Sequence, residues 1–187
     1  TTRLPLGDGE TTQLSFRRDD GYTQSLPIVA VDRGYFTTMK IPARAGTGFQ
    51  RMGLQRGGDI VLSRRAVESF LRHSDASAVI GRSVSLAPAG PTYTIVGVVD
   101  DVRDQNLATP PSPIVYMPHA VSIDETAETR TRRTMALVVQ TQGPAMEVVA
   151  PIRKVVRDLD PTVPIFNVET MDSIKRGDRL PPLVESP

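Results

Sequence analysis

The sequence predicts an α+β domain, and three patterns carry that expectation. Tyr93-Thr-Ile-Val-Gly-Val-Val99 is a dense run of strand-forming residues. Val148, Val149, Ile152, Val155, Val156 and Leu159 recur at the i, i+1, i+4, i+7, i+8, i+11 spacing of one helical face. Sixteen prolines in 187 residues, against a usual ~5%, predict many short elements separated by turns.

The first of these elements is Thr1–Leu4, the end of a strand, followed by a turn at Leu6-Gly7-Asp8-Gly9. Gln13–Arg17 alternates apolar with polar residues and reads as a half-buried strand. Asp19-Asp20-Gly21 is a hairpin turn into Ser25–Val31. Pro27 has no N–H, so this second strand is either an edge or begins after the proline. Gly34–Met39 is a short helical turn closed by Ile41-Pro42, and Ala43–Gly58, rich in Gly and Arg, reads as a long loop.

Asp59–Leu62 is a short buried strand. Ser63 is placed to N-cap a helix running to His73, whose apolar face is Ala66, Val67, Phe70 and Leu71. Glu68 stands four residues before Arg72, the favourable order for an ion pair on a helix. After Gly81 come a strand at Ser83–Leu86, a turn at Pro88–Pro91 and the Tyr93–Val99 strand. Gly97 in that strand marks a bulge or a close approach of another backbone. Pro110-Pro-Ser-Pro113 leads stiffly into a strand at Ile114–Met117, ended by Pro118.

Residues 121–132 are polar, without an apolar period, and read as a mobile loop. Met135–Val139 is a strand, Glu147–Leu159 a helix and Ile165–Val168 a strand, which together predict a βαβ unit with parallel strands. Pro151 falls in the first turn of that helix or kinks it. Residues 175–187 lack both period and core residues and read as a disordered tail.

Composition bounds the function. At 20.4 kDa the chain is one domain, or two small ones. Twenty-two basic against 21 acidic residues leave +1, without the surplus a nucleic-acid face requires. Zero cysteines exclude disulfides, iron–sulfur clusters and thiolate zinc. Aromatics make up 5% and tryptophan is absent, so no stacking platform is expected. The longest apolar stretches, Ile95–Val99 and Ala136–Val139, are far shorter than the ~20 residues that cross a bilayer. Thr1 is not an initiator methionine and no signal-like region opens the sequence, so it reads as an excised or processed fragment.

No constellation for catalysis emerges. His73 and His119 are the only histidines and lack a His-x-x-x-His spacing; both are expected at the surface. Asp100, Asp101 and Asp104 follow the strongest strand. They are the one acidic group that an enzyme or a cation site would use, but Arg103 stands among them and EF-hand spacing is missing, so they read as a solvated, ion-paired turn. Gly46-Thr-Gly48 and Gly53–Gly58 lack both the dinucleotide fingerprint and a Gly-Lys-Ser/Thr, and no Gly-x-Ser-x-Gly elbow is present. Arg130, Arg132 and Arg133 read as a solvated loop rather than a nucleic-acid patch. The expected catalytic, cofactor and metal residues are therefore none.

A series of ordered segments carries more information than any single motif. Val31-Asp-Arg-Gly-Tyr-Phe-Thr-Thr-Met-Lys-Ile-Pro42, Ile80-Gly-Arg82, Tyr93–Arg103, Ile114-Val-Tyr-Met-Pro118, Leu159-Asp-Pro161 and Val168-Glu-Thr-Met171 together resemble the MacB-like periplasmic core domain of FtsX-like ABC transporter permeases. The resemblance covers residues 1–174. It implies a two-lobed α+β domain: one lobe from about 1–49 and 133–174, containing the βαβ unit, and an inserted β-rich lobe from about 50–120. It further implies a position on the extracytoplasmic, periplasmic face of the bacterial inner membrane, between transmembrane helices driven by a cytoplasmic ATPase subunit or domain. A second copy of the domain and a periplasmic protein or peptide substrate would be its partners, with no nucleic acid and no cofactor. The function so implied is non-catalytic mechanotransmission. The alternative is a soluble periplasmic adaptor that recognises a peptide, lipoprotein or protein partner through an apolar patch or open sheet edge.

Overall fold

The structure is a computed structural model that describes residues 1, 4, 12–49, 57–103, 109–119 and 135–176. It has two compact units, Thr1–Val138 and Val139–Pro187.

The first unit is built on one seven-stranded sheet. Its strands are β1 (Gln13–Arg17), β2 (Thr23–Val31), β3 (Ala43–Gly46), β4 (Gly58–Ser63), β5 (Ser83–Leu86), β6 (Thr92–Val99) and β7 (Val115–Pro118). The spatial order is β3-β6-β4-β7-β2-β1-β5, and β5 also pairs with β6. Six strands therefore close on themselves. The eight-residue β6 carries two partners end to end along one edge: β5 opposite Thr92–Thr94, and β3 opposite Gly97–Val99. Closure removes edges that would otherwise leave backbone groups unpaired.

Pro27 shows how local chemistry fits this topology. It lies inside β2, an interior strand between β1 and β7, and not at an edge. The Ile28 N–H donates toward β1, to the Thr12 carbonyl at 2.9 Å. Alternation along a strand turns the Pro27 nitrogen to the opposite side, where the β7 ladder begins only at Ile28. The missing donor thus falls just beyond the last β7 pairing, where no partner is forfeited.

Alternation also sorts the side chains into two cores. Inside the closed sheet lie Phe16, Leu26, Ile60, Leu62, Tyr93, Ile95 and Met117, with Phe70 of the following helical segment. Outside it Val31, Val61, Val99, Ile114 and Tyr116 pack with Tyr35 and Phe49. The cover for this outer face is α1 (Tyr35–Thr38), whose Phe36 ring meets Tyr116 edge-on at 5.1 Å.

Gly97 combines both expected roles. The β4–β6 register slips between Ile60 and Val61, opposite Ile95 and Gly97. A side chain at Gly97 would lie 3.3 Å from the Gly48 nitrogen and from Val61 Cγ2. The Ala43–Gly58 stretch is not loop throughout, because β3 forms within it by pairing with β6. Nothing in its Gly- and Arg-rich composition signals a strand; the pairing comes from β6.

Ser63 caps as expected: its Oγ accepts from the Ala66 N–H at 3.2 Å. It begins α2 (Arg64–Ala66), which widens to π-helical geometry over Val67–Leu71 and ends at Arg72 in the left-handed region. That ending turns Arg72 away from Glu68. Glu68 pairs instead with Arg64, at 2.8 Å, while the Arg72 guanidinium lies 5.5 Å from the Tyr22 ring centre.

In the second unit a 3₁₀ turn at Ala145–Val148 leads into α3 (Val149–Leu159), with Pro151 in its first turn, where a missing N–H has no partner to lose. The last helix, α4 (Met171–Arg176), takes the first two residues of the expected tail, Lys175 and Arg176. The βαβ unit is not formed among the described residues: neither 135–139 nor 165–168 lies in a sheet ladder. A strand needs a hydrogen-bonded neighbour, and the backbone pairing at 135–139 among the described residues is a reciprocal pair between Thr1 and Ala136, at 3.0 and 2.8 Å. β1–β3, before residue 49, share one sheet with β4–β7 after it, and the two compact units divide at Val138. The turn at 6–9, the loop at 121–132 and the rest of the tail lie outside the described residues.

Candidate interaction surface

The acidic turn after β6 is neutralised by arginines. Asp100 accepts from the Arg44 guanidinium of β3, with Nη2 at 2.8 Å, and this hydrogen bond holds Arg44 still more firmly protonated than an ordinary arginine. Asp101, its side chain only 7% exposed, pairs with Arg64 at 2.8 Å and accepts the Arg65 N–H at 2.7 Å. The two carboxylates thus fasten β3 and the start of α2 to the end of β6. A carboxylate at a helix N-terminus is also favoured by the helix dipole. Asp104 lies outside the described residues. Among those residues no group of three or more His, Asp or Glu could hold a metal ion.

The histidines sit apart. His73 Nε2 lies 3.0 Å from Arg82 Nη1, and half-buried His119 donates its backbone N–H to the Val31 carbonyl at 2.8 Å. Arg130, Arg132 and Arg133 lie outside the described residues.

A polar corner forms at the β1–β2 hairpin. Arg18 donates to Asp20 and, through Nη1, to the Phe70 carbonyl at 2.9 Å, while its guanidinium stacks over Tyr22 at 4.7 Å. The Arg18 hydrogen bond, joined by the Tyr22 N–H, holds the Asp20 carboxyl below the usual aspartate range.

The cavity of note lies where α1 passes over β3 and β6. It has a volume of about 430 Å³ and is lined by Arg33, Phe36, Ile41, Ala45, Thr47 and Phe49, among others. Two glycines shape its wall. Gly46 (φ +76°) brings its backbone so close to β6 that an added Cβ would lie 2.1 Å from the Val96 oxygen, and Gly48 (φ +74°) passes over Gly97. The Phe36 and Phe49 rings pack at 6.0 Å. The sequence predicts a loop for the Ala43–Phe49 wall and gives no sign of the cavity beyond the Gly46-x-Gly48 spacing, which matches no phosphate motif.

Among the described residues the large exposed apolar side chains concentrate at the other end of the chain. Met135 and Leu137 precede the second unit; within it Val155 and Leu159 on α3, with Phe166, stand more than half exposed, Leu159 at 81%. No described helix is long and apolar enough to cross a membrane.

The family model described as MacB-like periplasmic core domain matches residues 5–155. Among solved structures, the chain is similar to the periplasmic region of MacB from Actinobacillus actinomycetemcomitans, with a TM-score of 0.52 and 9% identity, over 80% of this chain and 64% of that one. It is also similar to the extracellular domain of the noncanonic ABC-type transporter YknZ from Gram-positive bacteria, with a TM-score of 0.49 and 14% identity, over 82% of this chain and 74% of that one. This chain therefore spans less than two thirds of the MacB periplasmic region. No curated protein matches it by sequence.

Proposed function

The chain belongs to the family of MacB-like periplasmic core domains, and from that premise we propose that it is the non-catalytic extracytoplasmic domain of an ABC transporter permease. In this reading ATP hydrolysis by a cytoplasmic subunit or domain moves transmembrane helices elsewhere in the protein, and this domain carries the movement to a periplasmic substrate or partner. The observation that carries the reading is the family match over residues 5–155.

Physical features support it. The six strands closed by β5 between β1 and β6 resist shear as a unit, because a slip of any of those six must break ladders on both sides. Asp100 and Asp101, two of the three carboxylates an enzyme would use, are engaged with Arg44 and Arg64. The division into two compact units is in keeping with a domain of two lobes.

The test uses the absence of cysteine. A single cysteine at exposed Tyr22, introduced into the intact gene product with any cysteine outside these 187 residues replaced, gives one clean labelling site. Labelling on whole cells by a membrane-impermeant maleimide, with the protein retained in the membrane fraction, is the expected result. Paired cysteines on two copies should then cross-link at a rate that changes when the ATPase is inactivated. Release of the labelled protein by osmotic shock would overturn the permease reading in favour of a free periplasmic adaptor.

A further inference from the structure

We draw no further inference here: the strongest candidate, the surface patch of exposed apolar side chains in the second unit, with Val155 and Leu159 on α3, carries nothing because nothing in the structure shows what covers it.

Discussion

Ser63 and Ile114 are joined by two hydrogen bonds, one between backbones and one to the Ser63 hydroxyl. The Ser63 N–H donates to the Ile114 carbonyl at 2.9 Å, and Ser63 Oγ accepts the Ile114 N–H, also at 2.9 Å. The same Oγ caps α2 through the Ala66 N–H. One fully buried hydroxyl thus ties the end of β4, the start of a helix and the entry to β7 together.

Ser63→Ala leaves two buried N–H groups without that acceptor. Loss of a cap costs about 0.5–2 kcal/mol, and a buried donor left unpaired about 1–3 kcal/mol. We expect a loss of about 2–3 kcal/mol in urea unfolding, with Ser63→Thr retaining most of the stability. A loss below about 0.5 kcal/mol for the alanine variant would refute the dual role.

Gly46→Ala should destabilise the first unit by at least ~2 kcal/mol. The left-handed backbone costs a non-glycine residue about 1–2 kcal/mol, and its Cβ would also meet the Val96 oxygen. Gly21, at φ +85° with open space around its Cβ, is the control, and its alanine variant should lose only the conformational part. Equal losses at the two sites would disprove the close approach.

The Asp20 carboxyl titrates below the ordinary aspartate range because Arg18 and the Tyr22 N–H bond its charged form. Its folded value is thus depressed relative to the unfolded chain. The stabilisation is fully present above the unfolded aspartate value and is lost as pH falls through the folded one. Carboxyl carbon shifts followed by NMR should show the low midpoint, and Arg18→Gln should raise it. An unchanged midpoint in that variant would remove Arg18 as the cause.

Asp101→Asn keeps an oxygen for the Arg65 N–H but loses the ion pair to Arg64, whereas Asp101→Ala loses both. Charge-assisted bonds contribute about 1.5–3 kcal/mol. The alanine variant is therefore expected to lose about 2–3 kcal/mol, and the asparagine variant about half as much. Chemical denaturation of the two variants, read by circular dichroism, checks the order.

Much of the fold was legible because it is written in short-range chemistry. β1 and β5 fall at the expected residues, since alternation and flanking turns bound them. Ser63 was recognisable as a cap because the hydroxyl precedes an apolar helical face by the right interval. β3 was not legible: Ala43–Gly46 has weak strand propensity and becomes a strand because β6 supplies its ladder. The same holds for the cavity, whose walls come from α1, β3 and β6 and meet only after the sheet assembles.

The sequence alone determined the local elements, the absence of cysteine chemistry and the family to which the chain belongs. The ordered series from Val31 to Met171 records side-chain patterns that survive without any knowledge of contacts. Only the tertiary structure decided that strands from both sides of residue 49 share one closed sheet, and that Pro27 lies inside it. It also decided that Asp100 and Asp101 serve as clamps. The reason is physical. Turns, caps and amphipathic faces depend on residues a few positions apart, whereas strand partners and charge partners such as Arg44 and Asp100 are set by which distant segments pack together.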